Sequence, residues 1–200
     1  MLEQKYRHLY QRWLVDQPAK WLSPVCAPWV ITVLAGVLGI VIIPMLALGH
    51  PVLATVFLLL SGYCDSLDGT LARHSNLQSD FGSVLDIVTD RLVEFCVVFG
   101  LFLVAPETRG LWCMLMLGSI LLCVTSFLVV GIFTPDNDND GKSFHYSPGL
   151  MERAEAFVFF ILMIWLPGYF AFLALVFSVL VLWTAGVRVR QFYLPLSNNK

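Results

Sequence analysis

The chain has 200 residues, of which 58% are hydrophobic and only 13% charged. That balance, with a mean hydropathy of +0.78, excludes an ordinary soluble globule, and the length is that of one domain. The formal net charge of −2 says nothing about partners, and no basic tract points to nucleic acid, so none is expected.

At the N-terminus Leu2, Tyr6, Leu9 and Trp13 recur at four, three and four residues, with Lys5, Arg7, Arg12 and Lys20 among them. Residues 1–22 therefore read as an amphipathic helix lying in the membrane interface. Met1 to Trp21 lacks the apolar core of a secretory signal. The rest reads as an all-α polytopic membrane domain, 23–192, and a cytoplasmic tail, 193–200. Trp29–Gly49, Gly110–Pro135 and Ala156–Val187 carry no charge. A spanning helix needs about 20 apolar residues, so the last run, broken at Pro167-Gly168, reads as two helices. Six spans are predicted, at 27–48, 52–73, 80–105, 110–133, 149–167 and 169–190. With the N-terminus inside, the inner segments hold Lys5, Arg7, Arg12, Lys20, Arg73, Lys142, Arg188, Arg190 and Lys200, whereas the outer loops hold only Arg109. Both termini are therefore expected in the cytoplasm. Cys26, Cys64, Cys96, Cys113 and Cys123 show no paired spacing and read as small core residues.

The second and third spans break the apolar pattern. Asp65, Asp68, Asp80, Asp86 and Asp90 fall within one short stretch, five of the 14 acidic residues of the chain. Pro51 to Cys64 is too short to cross a bilayer, so the second helix must continue through Asp65, Asp68 and Arg73. A turn over His74–Ser79 leads into the third, which carries Asp86, Asp90 and Glu94. At 1.5 Å per residue, Asp68 and Asp86 lie roughly 13 Å from the middle of the turn, and Asp65 and Asp90 roughly 19 Å. Read as antiparallel neighbours, the two helices bring four carboxylates to similar depths, each pair on one helix face. Ionisable groups at membrane depth are costly and mark function. Like charges can hold some acids protonated, or a divalent cation can neutralise them. An all-oxygen donor set favours Mg²⁺, Mn²⁺ or Ca²⁺ over zinc, and such ions clamp phosphates. Arg73 is placed to meet a phosphate oxygen.

Asp65, Asp68, Gly69, Ala72, Arg73, Gly82, Asp86 and Asp90 form the pattern D-x2-D-G-x2-A-R-x8-G-x3-D-x3-D without a gap. This resembles the signature of the CDP-alcohol phosphotransferases, integral-membrane enzymes of phospholipid head-group synthesis. The resemblance implies a metal-dependent phosphatidyltransferase that takes CDP-diacylglycerol and a water-soluble alcohol and releases CMP. It implies that Asp65, Asp68, Asp86 and Asp90 hold one or two Mg²⁺ or Mn²⁺ ions and that Asp90 is also the catalytic base. It implies that Arg73, Gly69, Ala72, Gly82 and Thr32 bind the CDP-alcohol, and that the enzyme is a homodimer in the membrane, the cytoplasmic membrane in a bacterium, with its site on the cytoplasmic side. Family members commonly carry Pro-Asn at the start of the first span, where this chain reads Pro28-Trp29.

In the loop Thr134–Gly149, Asp136, Asp138, Asp140 and Gly141 imitate an EF-hand, but Ser147 stands where its bidentate Glu belongs, so the loop reads as a solvated turn. Lys142 and Arg153 are the candidates for binding the acceptor, which the residues leave open among inositol phosphate, glycerol 3-phosphate, inositol and serine. Glu152, Arg153 and Glu155 resemble the inositol-phosphate-using members. Head-group transfer from CDP-choline or CDP-ethanolamine to a lipid alcohol is the rival within the family. An ion-coupled transporter is the rival outside it, but no internal repeat supports that reading.

Overall fold

The computed structural model describes residues 15–75, 77–133, 151 and 153–198. Leu2, Tyr6, Leu9, Trp13 and the loop Thr134–Gly149, with Lys142, lie outside the described residues. Every described element is helical: α1 (Asp16–Leu22), α2 (Pro28–Ala47), α3 (Pro51–Ser75), α4 (Asp80–Val104), α5 (Pro106–Phe133), α6 (Arg153–Trp165), a 3₁₀ turn (Pro167–Tyr169) and α7 (Phe170–Asn198). They fall into two compact units, one ending at Val104 and the other starting at Ala105.

Among the described residues, four helices are long and apolar enough to cross a membrane: Pro28–Ala47, Pro51–Ser75, Pro106–Phe133 and Pro167–Leu194. The chain is an integral membrane protein. The two further predicted spans correspond to α4, whose acids dilute its apolar character, and α6, whose 13 residues span only about 20 Å. The fourth span starts four residues earlier than the periodicity suggests, at Pro106. Proline at the first helical position loses no bond that the helix could make, and the charges of Glu107 and Arg109 had hidden that start.

In the first unit α2 is the central element. Pro28 opens it, and a Schellman motif closes it: His50 N–H donates to Met45 C=O at 2.8 Å and Gly49 N–H to Leu46 C=O at 3.0 Å. The motif needs a left-handed residue after the cap, supplied by Gly49 at φ 74°. α2 packs along both α3 and α4, far more extensively than α3 and α4 pack on each other. The two acid-bearing helices bring side chains together near their turn, and α2 lies against both. Small residues make this packing. A Cβ on Gly39 would stand 2.7 Å from Val93 Cγ2 of α4, and one on Gly36 would stand 3.3 Å from Thr89 Cγ2. On its other side α2 accepts a hydrogen bond, from Ser61 Oγ of α3 to Ala35 C=O at 2.9 Å. α1 lies on α3, burying Val15 and Ala19 in a cluster with Ile31, Ala35, Leu67 and Leu71.

In the second unit α5 packs along α7, and α6 leans on α7. Phe160 and Phe177 meet at 5.5 Å between ring centroids. The Arg109 guanidinium lies 4.4 Å over the Phe170 ring, and Arg188 Nη1 donates to Cys123 C=O at 3.1 Å. Pro167-Gly168 breaks the long uncharged run where the sequence suggests, in a 3₁₀ turn.

Candidate functional site

The site grows from the turn between α3 and α4. α3 runs through its acids as far as Ser75, so that Arg73 and His74 occupy its last turn. Cationic groups there complement the carbonyl end of the helix dipole. α4 begins at Asp80 under a side-chain cap, Gly82 N–H donating to Ser79 Oγ at 3.1 Å. With both helix phases fixed at the turn, Asp65 and Asp68 project from α3 toward Asp86 on α4. One carboxylate oxygen from each lies within 4.8 Å of the others.

Asp68 is buried, at 5% exposure, and Asp65 and Asp86 are half-buried. At that separation and an effective dielectric near 20, each pair of full negative charges repels by roughly 3 kcal/mol. Three hard oxygen donors held so close suit a divalent cation such as Mg²⁺ or Mn²⁺. Asp90 stands outside this group. It is half-buried on α4, one turn beyond Asp86, with its carboxylate 3.9 Å from Arg91 Nη2. Arg91 Nη1 also meets Glu94 at 2.6 Å, which makes Glu94 a helix ion-pair partner.

Beside the trio lies a cavity of about 660 Å³ between the start of α2, the last turns of α3 and the first turns of α4. Thr32, Gly69, Ala72, Arg73 and Gly82 line it together with Asp68 and Asp86, so the candidate CDP-alcohol residues share one wall-to-wall space. Both glycines border the cavity, with more room for a side chain at Gly69 than at Gly82. A Cβ on Gly69 would meet only Arg73 Nη1 at 3.7 Å, and one on Gly82 only Ser79 Oγ at 3.2 Å. Arg73 is exposed, its Nη2 donating to Thr70 Oγ1 at 2.8 Å, one turn from the acids. Trp29 also lines the cavity, so the residue that departs from the Pro-Asn pattern sits at the site.

Sequence reasoning missed two features. Thr32 Oγ1 donates to Asp68 Oδ2, linking α2 to the acid cluster; a threonine on an apolar helix carries no signal for such a partner. Gln78, Leu77 and Phe81 extend the cavity wall from the turn. Arg153 belongs to the second unit, where its guanidinium lies 5.5 Å over the Phe157 ring of α6.

A family model described as CDP-alcohol phosphatidyltransferase matches residues 25–189. An inner membrane protein, YnjF, of Escherichia coli K12 is 36% identical over 96% of this chain and 97% of its own length. A CDP-diacylglycerol–inositol 3-phosphatidyltransferase of Candida albicans is 38% identical over 63 residues, 32% of this chain and 27% of its own. The fold is similar to that of Mycobacterium tuberculosis phosphatidylinositol phosphate synthase (PgsA1), solved with CDP-DAG bound. The TM-score is 0.72 and the identity 18%, covering 90% of this chain and 93% of that one. The same synthase in complex with manganese and citrate gives a TM-score of 0.72 over 90% of each chain.

Proposed function

The chain belongs to the CDP-alcohol phosphatidyltransferase family, and from that premise we propose that it transfers a phosphatidyl group from CDP-diacylglycerol to the hydroxyl of a small polar acceptor. The observation that carries this reading is the Asp65–Asp68–Asp86 trio, of which Asp68 and Asp86 line a cavity large enough for a nucleotide. Among acceptors, an inositol-type polyol or its phosphate ranks first, ahead of glycerol 3-phosphate and serine, because a relative named for inositol transfer is similar over about a third of this chain and the synthase above shares the fold.

Asp65, Asp68 and Asp86 would hold the Mg²⁺ or Mn²⁺, with Asp90 as the fourth carboxylate of a one- or two-ion site. Bound there, the cation neutralises the acids and draws charge from the diphosphate. Arg73, at the open end of the cavity, takes a diphosphate oxygen through its guanidinium. Gly69, Ala72 and Gly82 leave the volume that the cytidine occupies. Asp90 accepts the proton of the acceptor hydroxyl. The hydroxyl oxygen bonds to the phosphorus that carries diacylglycerol, the bond from that phosphorus to the bridging oxygen breaks, and CMP leaves with the bridging oxygen and the electron pair. Lys142 and Arg153 are assigned to the anionic group of the acceptor. The working unit is a homodimer with both termini and the site on the cytoplasmic face, an arrangement that light scattering and cysteine labelling check.

The test is CMP release by the purified full chain from CDP-diacylglycerol, with each acceptor in turn, with and without Mg²⁺ or Mn²⁺. Turnover with one acceptor that stops on chelation supports the reading. CMP release from no acceptor, or at an unchanged rate in Asp90→Asn, sinks it.

A further inference from the structure

We infer that Thr32 is a positioning residue for the metal centre, its hydroxyl holding Asp68 in the rotamer that meets the cation. The inference rests on the metal reading just proposed. The Thr32 and Asp68 side chains are 36 positions apart in the chain, on different helices, and both are buried. The Pro28 carbonyl lies 3.3 Å from the same hydroxyl. A hydroxyl has one proton to give, and a charged carboxylate is the stronger acceptor, so the proton goes to Asp68. A carboxylate offers about four lone-pair sites, and one taken by Thr32 leaves the others for a cation.

The donor is well fixed. Threonine is restricted at χ1 in a helix, and α2 is held on both sides. Ser61 ties it to α3 through Ala35, and Gly36 and Gly39 let α4 close against it. The position of Asp68, on the other hand, depends on rotations about its own side chain, and the Thr32 hydroxyl ties one of its oxygens to α2. Thr32 borders the cavity, but at 4% exposure it offers a ligand almost no surface. Its reach toward the nucleotide is therefore indirect, through Asp68 and the ion.

The experiment measures Mn²⁺ binding to the full chain in detergent by electron paramagnetic resonance, beside steady-state kinetics. Thr32→Val keeps the shape and removes the donor; partners behind a metal ligand of this kind are worth about 10- to 100-fold in metal affinity, and that weakening is expected. Thr32→Ser should restore binding close to the original. Ser61→Ala removes a bond between the same two helices that involves no carboxylate, so it should lower thermal stability without moving the Mn²⁺ constant. At saturating Mn²⁺ the KM of Thr32→Val for CDP-diacylglycerol should return to the wild-type value. If Thr32→Val does not fold, Thr32→Ala takes its place with the same expectation. Unchanged Mn²⁺ affinity with a raised KM for the lipid overturns the inference and gives Thr32 to the nucleotide. An equal loss of Mn²⁺ affinity in Ser61→Ala also overturns it, as packing alone. A wild-type chain that binds no Mn²⁺ removes the metal reading, and the inference with it.

Discussion

The three helices α2, α3 and α4 use glycine in opposite ways at their two ends. Toward the α3–α4 turn, Gly69 and Gly82 border empty volume. Toward the other end, Gly39 and Gly100 are pressed against neighbours, Gly100 with Leu46 Cδ1 only 2.8 Å from where its Cβ would be. One residue type thus borders a cavity in the first place and makes a helix–helix contact in the second. Beside the carboxylates the three helices line open volume, and at the other end α2 and α4 close to van der Waals contact. A tightly packed end gives the open end a rigid frame, and in a buried acid cluster rigidity decides whether the oxygens converge on a cation or relax away from it.

The sharpest break in that comparison is at the acids. Asp68→Asn should leave the fold in place and reduce CMP release by about 10³-fold or more, since both a ligand charge and the Thr32 acceptor geometry change. Gly39→Ala attacks the packed end. Its new methyl group would stand 2.7 Å from Val93 Cγ2, and overpacking of this kind costs about 1–3 kcal/mol. A lower melting temperature, with KM for the lipid unchanged in the surviving fraction, is the expected result. Gly69→Ala should do the reverse. The helix gains up to about 1 kcal/mol from the better helix former, while KM for CDP-diacylglycerol rises roughly tenfold, a loss near 1.4 kcal/mol. If Gly69→Ala instead destabilises the protein without touching KM, the two ends do not differ as described. The smallest effect belongs to Gly118→Ala in α5, where nothing of the protein lies within 4 Å of the added carbon. Kinetics there should match the parent, and stability should shift by less than about 1 kcal/mol.

Much of this was legible in the sequence, for one physical reason: acids in an apolar chain are expensive, so their positions are informative. The course of α3 beyond Cys64, the turn near Asn76, the convergence of Asp65, Asp68 and Asp86, and the break at Pro167 all follow from charge and proline placement. Gly69, Ala72, Arg73 and Gly82 line the cavity together, as expected of residues that one substrate brings into register. The position of α2 was not legible. Its contacts are made by Gly36, Gly39 and Ala35, residues that read as unremarkable filler in any apolar helix, and nothing local says which neighbour they admit. The Thr32–Asp68 bond was hidden for the same reason, since it exists only once α2 lies beside α3.

The place of α2 against both acid-bearing helices also bears on how the molecule is made. All four acids, the arginine, the cavity glycines and the helix packed beside them precede Ala105. A ribosome feeding this chain into a bilayer has therefore made every one of these groups before it makes the first residue of α5. Charge that lipid would reject has its helical neighbours within the segment that is made first.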